Sequence, residues 1–171
     1  MAQVSIPKHG VLIADPSANM VSLIGGMLRG IGRRDYREAN DAQTAMDELT
    51  NRQFDVLVID DGLDGLDGVE LVRQLRASVD SPNRYLPVVM ISAAPDARRI
   101  AKARDAGVTE FLRKPFAAAH LQARLVSIEA NPRGFIKAEA YKGPDRRRKT
   151  IDIGDRDRRD EAPLILTPKA S

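Results

Sequence analysis

"DVLVIDDGLDGLDG", residues 55–68, runs four apolar side chains, Val56 to Ile59, straight into Asp60, Asp61, Asp64 and Asp67, with Leu63 close behind. Continuous rather than alternating hydrophobicity marks a strand covered on both faces, as in a parallel sheet. Carboxylates this close together repel one another and stabilise nothing by themselves. A buried strand ending in acids therefore raises the question of which acid carries chemistry.

Working outward, similar apolar runs stand at "VLIA" (11–14) and "LPVVMIS" (86–92), with a shorter one at "TEFLR" (109–113). Helical patterns separate them. Met20, Leu23, Ile24, Met27, Leu28 and Ile31 recur at helical spacing after a capping Ser17 and before Gly32. Asp41 can cap a second helix carrying Ala42, Ala45, Met46 and Leu49; Val69, Val72 and Leu75 mark a third. "APDARRIAKARDAG" reads as a fourth, small and polar, and "FAAAHLQARLVSIEA" as a fifth that ends at Asn131-Pro132. A remaining strand is placed in "RDYREAN" (34–40). This alternation predicts an α/β fold, a doubly wound five-stranded parallel sheet, followed by a C-terminal extension. Functional groups in such sheets gather at the carboxyl ends of strands, near the switch in strand order. That rule selects Asp15, Asp60 and Ser92.

Composition removes several classes of function. Among 171 residues there is no cysteine, which rules out disulfides and thiolate metal sites. No apolar run approaches the ~18 residues of a membrane span, and the N-terminus lacks a signal-peptide core, so the expected location is the cytoplasm and no membrane partner is foreseen. Residues 1–128 balance 16 Lys+Arg against 16 Asp+Glu, whereas residues 129–171 hold 11 against 8, so the net +3 resides in the tail. That excess is too small to imply DNA binding by the folded part.

The fragments "VLIADPS", "VLVIDDGLDGLDGVEL", "VVMISA" and "FLRKPF", in this order and spacing, resemble the CheY-like receiver domains of bacterial response regulators. The resemblance covers about residues 8–130 and implies strand order 2-1-3-4-5. It further implies Asp60 as phosphoacceptor, Ser92 as switch hydroxyl, Lys114 as the cation contacting the phosphoryl group, Phe111 as switch aromatic and a cis bond at Lys114-Pro115. It places Mg²⁺ on Asp15, Asp60 and the Gly62 backbone carbonyl, and it makes a histidine kinase or phosphotransfer protein the upstream partner. The chemistry suits these residue types. A carboxylate nucleophile needs its charge offset. Mg²⁺ does so with few protein ligands and several waters, and an ammonium pairs with the new phosphate. Asp61, Asp64 and Asp67 read as loop acids, Asp67 with Gly68 as a helix start, and the arginines of "DARRIAKAR" as a solvated helix face or a stripe for an acidic partner. His9 and His120 read as surface or packing residues. One departure stands out: the family's second acid after the first strand is Pro16 here. Either Asp15 holds the metal alone with extra waters, or the domain is poorly phosphorylated and signals otherwise.

Residues 131–171 are too polar for a second core and contain no DNA-binding or enzymatic domain, so a single-domain regulator acting on a partner protein, not an enzyme, is expected. Asp-Arg-Arg occurs at 145–147 and again at 157–159. Arginine forks onto guanine O6 and N7 and stacks on its face, and a carboxylate accepts from the guanine N–H edge. The tail is thereby similar to those of CheY-like cyclic-di-GMP effectors that act on flagellar motors or related machinery. That resemblance implies Asp145, Arg146, Arg147, Asp157, Arg158 and Arg159 as cyclic-di-GMP ligands. A flexible solubilising tail and a protein-docking segment are the other readings.

Overall fold

A computed structural model describes residues 9–131 and three short strands at 135–138, 141–144 and 164–166. Strands β1 (Val11–Ala14), β2 (Tyr36–Ala39), β3 (Val56–Asp60), β4 (Val88–Ser92) and β5 (Glu110–Arg113) alternate with helices α1 (Ala18–Gly30), α2 (Ala42–Asn51), α3 (Gly68–Ala77), α4 (Ala97–Ala106) and α5 (Ala118–Ala130). The strands pair in parallel in the order β2-β1-β3-β4-β5. The chain steps from β1 outward to β2 and then back across to β3. The switch point therefore lies between the carboxyl ends of β1 and β3.

Short polar side chains start the helices as expected. Ser17, Asp41, Asp67 and Asp96 accept the amides of Met20, Thr44, Val69 and Arg99. Gly107 closes α4 at φ 104°, a left-handed conformation that side chains beyond Cα resist.

Two apolar layers flank the sheet, and the two-residue period of the strands sorts side chains between them. Val11, Ile13, Val56, Val58, Val89, Ile91 and Leu112 join the layer that holds Ile24 and Leu28 of α1 with Leu121 and Leu125 of α5. Leu12, Ala14, Leu57, Ile59, Val88 and Met90 join the layer of α2, α3 and α4. In α1 the buried stripe is Val21, Ile24, Gly25 and Leu28, whereas Leu23 is 52% exposed. Gly25 is part of the stripe because a Cβ there would come within 2.7 Å of the Tyr36 hydroxyl oxygen.

Backbone packing is also close at the start of α3. A Cβ on Gly68 would lie 2.3 Å from the carbonyl oxygen of Asp60, so only glycine lets this helix begin directly beneath the end of β3.

Beyond Asn131, where composition predicts a tail without a core of its own, β6 (Phe135–Ala138), β7 (Tyr141–Pro144) and β8 (Leu164–Leu166) form an antiparallel sheet in the order β7-β6-β8. Strand β7 lies against α4 and α3, and Pro144 is buried.

Candidate functional site

Strand parity decides which side chains meet at the carboxyl edge of the sheet. Asp15 continues the Val11–Ile13 alternation, Asp60 continues Val56–Val58, and Lys114 follows Leu112 by two, so all three belong to the α1/α5 side. They converge there. The Lys114 ammonium donates to Asp60 Oδ1 at 2.6 Å and to Asp15 Oδ2 at 3.2 Å. The other carboxylate oxygens are held by the backbone: Asp60 Oδ2 accepts the Gly62 amide and Asp15 Oδ1 the Ser17 amide, each at 2.8 Å. Asn40 donates to the Asp15 carbonyl at 3.1 Å and fixes the β1 end from α2's approach. Burial alone would lower the Lys114 pKa. The bond and charge of Asp60, then those of Asp15, override it and hold the ammonium above its ordinary value. Two nearly buried carboxylates thus share one cation and keep a net negative charge.

Asp61 and Ser92 fall on the opposite parity, with Leu57, Ile59, Val88 and Met90, toward the α2–α4 layer. The Ser92 hydroxyl, 1% exposed, donates to Asp61 Oδ2 at 2.6 Å. Arg99, in the first turn of α4, donates from Nε to the same oxygen at 3.2 Å and from Nη2 to the Asp61 carbonyl at 2.7 Å. Its Nη2 also pairs with Asp67 Oδ2 at 2.8 Å. Burial opposes the Arg99 charge, but Asp67 and then Asp61 raise its pKa above the ordinary value.

The expected residues are thus partly assembled. Asp15, Asp60 and Lys114 meet; Ser92 stands at the neighbouring strand end but is bonded to Asp61. Phe111 is half-buried against the α2–α4 core, and the Lys114-Pro115 bond is cis. Asp145, Arg146, Arg147, Asp157, Arg158 and Arg159 lie outside the described residues. Two sequence readings change. Asp61 is a partner of Ser92 and Arg99 rather than a loop acid, and Arg99 is an ion-paired tie rather than part of a solvated face. Alternation along β3 was the signal for Asp61, since the residue after Asp60 must point to the other layer. Asp64 remains an exposed acid whose carbonyl accepts the Ala42 amide. His120 is exposed and accepts the Ala117 amide at the start of α5.

A divalent cation would offset the same charges that Lys114 now offsets. Asp15 and Asp60 each direct one oxygen at the shared ammonium. Hard oxygen donors in this small number fit Mg²⁺, which keeps several of its waters. No group of three His, Cys, Asp or Glu side chains suited to a metal occurs among the described residues, and the Pro16 side chain adds no donor. The fit is chemically sound but sparse.

A family model for the response regulator receiver domain matches residues 11–126. The chain is 36% identical over 118 residues to the chemotaxis protein CheY-3 of Vibrio cholerae, covering 69% of this chain and 89% of that protein. Identity is also 36% over 118 residues to the chemotaxis protein CheY of Pseudomonas aeruginosa, covering 69% and 94%. Among solved structures, the receiver domain of a Francisella response regulator superposes with a TM-score of 0.65 at 27% identity, covering 72% of this chain and 98% of that one. Among the described residues, no helix is long and apolar enough to cross a membrane.

Proposed function

Because the chain belongs to the response regulator receiver family, we propose that it is a phosphorylation switch whose phosphoacceptor is Asp60. The observation that carries this reading is the convergence of Lys114 on Asp60 and Asp15 at the switch point of the sheet. An Asp60 carboxylate oxygen attacks the phosphorus of a phosphorylated histidine; the new P–O bond replaces the P–N bond, and the imidazole leaves. Lys114 turns from the carboxylates to a phosphoryl oxygen. Ser92, one strand away, offers its hydroxyl to another. Mg²⁺, held by Asp15, Asp60 and the Gly62 carbonyl, would neutralise charge on the entering phosphoryl group. A histidine kinase or phosphotransfer protein supplies the phosphoryl group, and a partner protein reads the result.

Acetyl phosphate with Mg²⁺ tests this directly. Mass spectrometry of the intact chain should show one added phosphate, absent in Asp60→Asn. Phosphate retained in that variant, or mapped to Asp61 or Asp64, sinks the assignment.

A second reading rests on the doubled Asp-Arg-Arg of the tail. In it, cyclic-di-GMP binds Asp145, Arg146, Arg147, Asp157, Arg158 and Arg159, and the ligand drives partner binding. What supports it is the pairing of each fork donor with an acid, which a purely electrostatic tail would not need.

A further inference from the structure

Asp61 is the residue for which the receiver chemistry gives no task, yet it holds both Ser92 and Arg99. It accepts the Ser92 hydroxyl at 2.6 Å and the Arg99 guanidinium at 3.2 Å on one oxygen, while its carbonyl takes a second Arg99 bond at 2.7 Å. Arg99 belongs to α4 and also grips Asp67, the residue that caps α3. Strand β7 lies on α4 and α3. One continuous set of contacts therefore leads from the switch hydroxyl to the C-terminal sheet.

We propose that Asp61 is a positioning residue that holds Ser92 and Arg99 in the unphosphorylated arrangement, so that phosphorylation is read out at the β7 strand on α4. The inference rests on Asp60 being the phosphoacceptor. A single hydroxyl hydrogen serves one short bond at a time. Ser92 must leave Asp61 to donate to a phosphoryl oxygen, and its loop moves with it. Asp61 then faces a neighbouring phosphoryl group of about two negative charges with one donor fewer. Arg99 is drawn toward the greater negative charge and away from Asp67, which shifts the first turn of α4. The Tyr141–Pro144 strand loses the surface it rests on and loosens. Tethering makes this device compact: the element that covers α4 belongs to the same chain, so uncovering it needs no second molecule to depart.

Hydrogen–deuterium exchange of the full chain, with and without acetyl phosphate and Mg²⁺, reads the outcome at residues 94–106 and 141–144. In the wild type, phosphorylation should speed exchange in both segments by about tenfold, the scale set by losing one charge-assisted bond. Asp61→Ala and Arg99→Ala should each show that faster exchange without phosphate, and phosphate should add little to it. Unchanged exchange in both unphosphorylated variants overturns the proposal. So does a phosphorylated wild type whose 141–144 segment exchanges as before. Mass spectrometry on the same samples separates the two ideas. Phosphate on Asp60 with no change in exchange removes the latch alone, whereas no phosphate on Asp60 removes the phosphoacceptor reading and the latch with it.

Discussion

Pro16 stands beside Asp15 at the end of β1, and its side chain offers neither a charge nor an oxygen. Among the described residues, Asp15 and Asp60 are the carboxylates that Lys114 partners. A metal must compete with that ammonium. Pro16→Asp adds a third hard donor and a further negative charge, so Mg²⁺ affinity, read by titration calorimetry on the full chain, should rise by roughly tenfold. An unchanged affinity would mean that residue 16 does not face the cation. At this scale the sequence was legible where a residue's partner is fixed by strand ends: Asp15, Asp60 and Lys114 all meet as their positions imply. It was not legible where the partner is remote. Nothing local to Arg99 tells that its guanidinium reaches Asp61 and Asp67 across the α3–α4 boundary.

At the scale of elements, hydrophobic runs predict the central strands well because those strands are apolar on both faces. β2 is weaker for a physical reason: it is an edge strand, and of Tyr36, Arg37, Glu38 and Ala39 only Ala39 is buried. Helix α1 shows the complementary limit. An apolar stripe chosen by residue type includes Leu23, whereas packing selects Val21 and Gly25 around Ile24 and Leu28. The thermodynamic consequence can be measured by chemical denaturation. Ile24→Ala should destabilise by about 2–5 kcal/mol, as a fully buried aliphatic does. Leu23→Ala should stay within about 0.5 kcal/mol, as exposed substitutions do. Equal losses would show that the exposed face of α1 is covered in solution.

Across the whole molecule, residues 1–128 are electrically balanced and the excess positive charge lies in residues 129–171. The second reading proposed above assigns a ligand with several phosphates and guanines to that segment. Isothermal titration with cyclic-di-GMP should give heat with the intact protein and none with a chain truncated after Asn131. Arg147→Ala should weaken binding by about tenfold or more, the scale of one lost bidentate contact. Absence of heat from the intact protein would leave the tail to protein contacts. Composition could describe this region's charge but not its three short strands, because their pairing depends on segments as distant as Phe135 and Leu166 and on the support of α4 beneath β7.

The close seat of Gly68 under Asp60 has a consequence for any library that samples all substitutions. Positions 60 and 68 should both score as intolerant in a signalling screen, yet for separable reasons. Asp60→Asn removes a reactive atom and leaves the backbone alone, so the protein should accumulate at wild-type abundance. Gly68→Ala forces a methyl group into the Asp60 carbonyl, at 2.3 Å before any relaxation, and should lose about 1–3 kcal/mol together with abundance. A paired screen for abundance and signalling would sort the two, and a Gly68→Ala variant that accumulates normally would show that α3 can retreat without harm.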